Sequence, residues 1–106
     1  MRQAIVFAND VIAGILTETD DLQYIFRYDD AYLTDHRMRP ISLAFPKRRE
    51  EYVCDELFPF FFNMLSEGAN KAMQCKTLKI DENDSFGLLM ATASHDTIGA
   101  ITLRKI

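Results

Sequence analysis

The stretch QAIVFANDVIAGILTE, residues 3–18, decides the fold. Two apolar runs, QAIVFA and VIAGILTE, flank the pair Asn9-Asp10. Both of those residues tolerate left-handed backbone, so the pair predicts a tight β-hairpin. Working outward, TDD at residues 19–21 is a second turn. LQYIFRY then alternates, with Leu22, Tyr24, Phe26 and Tyr28 on one face and Gln23, Ile25 and Arg27 on the other. Three antiparallel strands in a meander follow. DDAYLTDH, residues 29–36, is a turn or a single helical turn. In RPISLAFP, residues 39–46, Ile41, Leu43 and Phe45 alternate with Ser42 and Ala44 between two prolines. Proline marks strand limits, so this segment predicts a fourth strand. KRREEY after it reads as a charged loop.

Beyond residue 55 the pattern turns helical. DELFPFFFNMLSEG, residues 55–68, ends in Gly68, a common helix stop. At about 100° per residue, Leu57, Phe58, Phe60, Phe61, Phe62, Met64 and Leu65 cover roughly 200° of the wheel. That is wider than the ~100° stripe of an ordinary surface helix. Such a helix is either buried on two sides or keeps part of its arc for a partner. Pro59 allows two starts: at Pro59 itself, or earlier under an Asp55 cap, and the Asp55 start is the one expected. Residues 70–80 predict a second short helix. Residues 81–94 predict a third, with Asp84 as its cap. In TIGAITLRKI, residues 97–106, Ile98, Ala100 and Thr102 alternate with Gly99, Ile101 and Leu103, which predicts a closing strand. The fold class is therefore α+β: a mostly antiparallel sheet, made of the N-terminal meander plus the C-terminal strand, with two or three short helices packed on it.

The 106 residues suit one domain spanning 1–106, without room for an additional catalytic domain. The formal charge is −4, which gives no long-range attraction to phosphate backbones and argues against direct nucleic-acid binding. No apolar stretch is long enough to span a bilayer, and MRQAIVFAND lacks the features of a signal peptide, so a cytoplasmic location is expected. Cys54 and Cys75 form no Cys-x-x-Cys pair and read as two buried thiols in a reducing compartment.

No catalytic constellation is apparent, so no enzyme activity, cofactor or metal is expected. GANKAMQCK lacks the Gly-Lys-Ser/Thr of a P-loop. DENDSFG begins like a calcium loop through Asp81, Asn83 and Ser85. However, Phe86 replaces the turn glycine and Thr92 the closing glutamate. His36 has no ligand partner at metal spacing. His95 beside Asp96 reads as a polar turn, with a small hydrolase-like enzyme as the competing possibility. Ser42 and Ser66 sit in no nucleophile elbow. The acid pairs Asp20-Asp21 and Asp29-Asp30 point to opposite faces if extended. Lys47, Arg48 and Arg49 form the one basic run, either a solvated loop or a match for an acidic groove on a partner.

Three segments in order, RPISLAFP (39–46), FFFNMLSEG (60–68) and HDTIGAITL (95–103), resemble the first N-terminal subdomain of the HipA family of toxin kinases. The opening meander with AGILTE agrees, and the resemblance covers essentially the whole chain. The family usually has serine at the Ala44 position, an Asn-Leu-Leu-Pro turn where Asn63, Met64, Leu65 and Ser66 stand, and often glycine at Ser94. No kinase lysine strand, catalytic loop or metal-binding aspartate follows. The resemblance is thus to the detached form of the subdomain, the HipS type of small subunit in three-part HipBST-type toxin–antitoxin systems. It implies a non-catalytic subunit that binds a HipT/HipA-like kinase in trans and inhibits it, with a HipB-like DNA-binding protein as a further member. A structural or activating role toward the kinase is the alternative. Phe58, Phe61 and Leu65 are expected in the core. The turn after them, Ser66, Glu67, Gly68, Ala69 and Asn70 with Lys71, is the expected partner-binding site.

Overall fold

The structure, a computed structural model, describes residues 1–65, 68–93 and 100–106, with backbone only at 68 and 69. Strands β1 (Arg2–Ala8), β2 (Val11–Glu18) and β3 (Tyr24–Tyr28) form the meander. The short helix α1 (Asp30–Thr34) follows, then β4 (Tyr52–Cys54), α2 (Pro59–Phe62), α3 (Gly68–Leu78), α4 (Ser85–Thr92) and β5 (Ile101–Lys105). The sheet order is β4-β3-β2-β1-β5, and every pairing is antiparallel. The architecture is a five-stranded antiparallel sheet with four short helices, an α+β fold.

The hairpin forms as its sequence predicts. Asn9 and Asp10 take φ of 51° and 66°, the double left-handed turn that matches the twist of the flanking strands. A register shift after Val6 pairs Phe7 with Ile12 and leaves Ala13 as the extra residue. Gly14 is required where it stands. A Cβ there would lie 2.3 Å from the Arg27 carbonyl oxygen and 3.0 Å from the Phe26 ring.

One face of the sheet carries Ala4, Val6, Leu16, Phe26, Tyr28, Ile101 and Leu103, all buried. Against them pack Phe61 from α2 and Phe86, Leu88 and Leu89 from α4, each at most 1% exposed. Burying each such side chain contributes about 1.5–3 kcal/mol. Helix α4 is anchored at its start by charge. Asp84 accepts the Gly87 amide at 3.1 Å, the capping role its position predicts. The same carboxylate receives two bonds from the Arg2 guanidinium, at 2.7 and 3.0 Å. Arg2 also donates twice to Glu18 Oε1, and Tyr24 Oη donates to Glu18 Oε2 at 2.8 Å. Arg2 lies over the Phe86 ring as well. This clamp joins β1, β2 and β3 to the start of α4 and satisfies the carboxylate of Glu18, which is only 7% exposed. Arg2 holds Asp84 below the usual carboxylate range, and burial with the Glu18 bond pushes Tyr24 up to about 12.

Four local expectations are corrected. Residues 41–45 form no strand; Phe45 is 2% exposed while Leu43 is fully exposed. The segment is held by side chains instead. Tyr28 Oη donates to the Phe45 carbonyl and accepts the Ile41 amide, and Tyr32 Oη donates to the Arg39 carbonyl. The fourth strand comes later, at Tyr52–Cys54: β4 overlaps the expected charged loop only at Tyr52, and pairs Tyr52 with Phe26 and Cys54 with Tyr24. The helix starts at Pro59 rather than under Asp55. The residue before a proline is driven out of the helical region, and Phe58 is extended at φ −52°, ψ 136°. Leu22 lies in a turn at φ 60° and 63% exposure, not on the buried face of β3. In addition, Gly68 opens α3 rather than closing α2. Cys75 is buried, Cys54 half-buried, and the two thiols are unbonded.

Candidate functional site

Three consecutive phenylalanines in α2 must point in three directions, because each residue turns the helix by about 100°. Phe61 takes the core and is fully buried. Phe58, just before the helix, and Leu65, just after it, are also buried at 8% exposure, as expected for all three. Phe45 sits among them, with its ring centroid 5.1 Å from Phe58 and 5.8 Å from Phe61. The surplus aromatic surface falls to the sides: Phe60 is half-buried and Phe62 is 43% exposed.

Phe62 lines an open cleft of about 470 Å³, whose other walls include Leu22, Tyr24, Leu57 and Pro59. Asp55 and Glu56 supply an acidic rim. Among the described residues Asp55 accepts one long 3.4 Å hydrogen bond, from Gln23, which leaves its carboxylate open to another donor. Leu22 stands out here: a bulky apolar side chain held in left-handed backbone and turned to solvent. Apolar floor, acidic edge and open mouth suit a protein segment that presents an apolar side chain next to a lysine or arginine.

Of the expected partner-binding residues, Lys71 lies beside this cleft. Ser66 and Glu67 lie outside the described residues. Gly68 and Ala69 form the first backbone turn of α3. Asn70 is exposed, and the Lys71 ammonium lies 6.0 Å from the Phe62 ring centroid. Thus Lys71 and Phe62 are brought together, while Leu22, Asp55 and Glu56 join the site without having been singled out. The one sequence signal for Leu22 is an apolar residue stranded between TDD and Gln23, and Asp55 reads from sequence as a helix cap.

The other candidate chemistries are placed as follows. His95 and Asp96 lie outside the described residues. His36 is exposed in the turn after α1. Ser42 Oγ accepts the Ala44 amide. Asp81 accepts the Asn83 amide and leads into the Asp84 cap, so this stretch starts a helix. Among the described residues no group of three His, Cys, Asp or Glu side chains could hold a metal ion, and no helix is long and apolar enough to cross a membrane. Within the basic run, Lys47 is held by the Asp35 and Met38 carbonyls and Arg48 stacks on Tyr52, while Arg49 is exposed.

Comparison with known proteins agrees with this architecture. The chain is 30% identical over 105 residues to an uncharacterized protein of Haemophilus influenzae, spanning 99% of this chain and 93% of that one. It is 30% identical over 92 residues to a Sinorhizobium fredii protein titled "Putative kinase Y4mE", spanning 87% of this chain but only 22% of that one. A solved structure titled "N-terminal domain of HipA toxin" superposes with a TM-score of 0.75 at 27% identity, over 100% of this chain and 93% of that one. The family described as HipA N-terminal domain matches residues 4–104, and the chain belongs to that family.

Proposed function

We propose that the chain is a non-catalytic, antitoxin-type subunit that binds a HipT/HipA-like serine/threonine kinase in trans and inhibits it. The observation that carries this reading is the Haemophilus influenzae relative, which this module spans to 93% of its length, so that a protein similar to this one is little longer than the module. A module separated from its kinase has to hold it through surface contact, offsetting several kcal/mol or more of lost freedom. The half-exposed Phe62 and exposed Leu22 beside Asp55 and Glu56 offer the required apolar, charge-selective contact. The segment 66–71 is the part proposed to reach the kinase cleft. Blocking a cleft needs no chemistry from the blocker. A HipB-like DNA-binding protein as third member, and the cytoplasm as the place of action, belong to the same proposal.

A second reading keeps the binding and reverses its effect. The module is also part of a longer chain titled a kinase, so here it would complete the enzyme rather than restrain it. Co-expression with a HipA-family kinase that lacks this domain, followed by size-exclusion chromatography and an autophosphorylation assay, separates the two. The inhibitory reading expects a one-to-one complex and a dose-dependent fall in autophosphorylation. Phe62→Ser should weaken the complex about tenfold or more, the effect of losing one central aromatic anchor. Unchanged or raised phosphorylation in a tight complex selects the second reading, and no complex removes both.

A further inference from the structure

Phe60 opens onto a different cleft, on the side of α2 away from Phe62. It encloses about 590 Å³ and has an apolar floor of Tyr32, Met38, Ile41, Phe60 and Ile101. Arg37 and Arg39 form its polar wall. Arg37 is paired with Asp35, but the exposed Arg39 guanidinium has no hydrogen-bond or ion-pair partner among the described residues. Lys47 stands behind the wall, its ammonium 5.5 Å from the Tyr32 ring centroid.

The segment that supplies this wall is the most cationic of the chain, although Arg48 within it turns away to stack on Tyr52. Residues 36–49 contain Arg37, Arg39, Lys47, Arg48 and Arg49 and no acid, whereas the other seven cations share the chain with all 16 acids. A cationic segment beside an apolar cleft, on an otherwise strongly acidic protein, selects an acidic ligand and repels a basic one. The apolar lip extends outward through Val11 at the start of β2, 41% exposed, and the cationic segment itself carries the fully exposed Leu43.

We infer that this cleft receives an acidic peptide segment of another protein, anchored by one large apolar side chain. The anchor enters between Met38, Ile41 and Phe60, and carboxylates beside it pair with Arg39 and Arg37. This surface is separate from the Phe62 cleft, and the inference holds whatever the effect on a kinase. Its ligand preference is opposite in charge to that of the Asp55–Glu56 rim, so the two clefts would take different segments.

The test is selection of a random dodecapeptide display library on the intact chain, with counter-selection on Arg39→Glu. Selected peptides are then titrated into the isotope-labelled protein by NMR. The expected peptides carry Asp or Glu around one Leu, Ile or Phe. They shift the resonances of Met38, Ile41, Phe60 and Ile101, and bind Arg39→Glu at least tenfold more weakly. Arg39→Lys should restore most of the affinity, and Ile41→Ser should lose it while resonances of the distant Arg2 clamp stay in place. Failure to enrich any peptide, enrichment without acids, or equal binding to Arg39→Glu would overturn the inference. So would comparable binding of a single-stranded DNA dodecamer at these residues, which would make the surface a general polyanion site.

Discussion

Residues 41–45 permit a sharp experiment, because two structures for them make opposite claims. In a strand, Ile41, Leu43 and Phe45 share one face and have similar weight. In the observed loop, Phe45 is 2% exposed and Leu43 is fully exposed. Phe45 lies with its ring centroid 5.0–6.0 Å from those of Tyr52, Phe26, Phe58, Phe61 and Phe60. Truncating a buried phenylalanine to alanine costs about 3–5 kcal/mol. Five ring neighbours, from β3, β4 and the α2 region, leave little room for collapse into the cavity and put Phe45→Ala near the top of that range. A domain of this size has about 5–15 kcal/mol in total. At about 4–8 °C per kcal/mol, the midpoint should fall by roughly 20–40 °C. Leu43→Ala should stay within about 0.5 kcal/mol. Urea unfolding followed by circular dichroism and tyrosine fluorescence measures both, the chain having no tryptophan. Equal losses for the two variants, or a Phe45→Ala loss below about 1.5 kcal/mol at an unchanged denaturant slope, would refute the packed-loop description.

Other expectations follow from the sheet and its clamp. Gly14→Ala forces its new methyl against the Arg27 carbonyl oxygen, a backbone atom that cannot swing aside. Overpacking of this kind costs about 1–3 kcal/mol, so a clear fall in the melting midpoint is expected, and wild-type stability would contradict the close approach of β2 and β3. The lowered Asp84 carboxyl contributes stability that is fully present above the unfolded value of about 4 and disappears as pH falls through the folded value. Asp84→Asn should therefore melt lower than wild type at pH 7, and the gap should close in strong acid; a gap independent of pH would mean the carboxylate charge is irrelevant. Tyr28→Phe leaves the Phe45 carbonyl without its donor and the Ile41 amide without its acceptor. A loss of about 1–3 kcal/mol is expected, together with faster amide hydrogen exchange at Ile41.

Where the sequence is readable, one local signal dominates. Asn9-Asp10 admits few geometries other than a tight hairpin, and Asp84 before a helix-favouring apolar run fits a cap. Where it misleads, a local pattern is shared by two structures. Alternation between Pro40 and Pro46 imitates a strand, yet the hydroxyls that pin this loop come from Tyr28 and Tyr32, distant in sequence. Strand β4 has only three residues, too short for a period to show, and its place is fixed by pairing with β3. The wide arc around Pro59 signals surplus aromatic surface without saying which side is covered. That division depends on Phe45 arriving from another loop. Leu22 illustrates the same limit: its apolar character suits a strand, while the Leu22 amide bonds to the Thr19 carbonyl in a turn.

The pairing of β1 with both β2 and β5 bears on how the chain is made. Strand β2 reaches β1 within a few residues, but β5 begins 93 positions after Ala8. At about 5–20 residues per second, a ribosome needs roughly 5–20 s to supply it. Throughout that interval the meander can assemble, since its contacts are local, while the other edge of β1 keeps its amides and carbonyls open. An open edge is a template for any extended chain nearby. The nascent domain is thus exposed to wrong pairing at one defined place, the Ala4–Ala8 edge, until Ile101–Lys105 emerges and closes it.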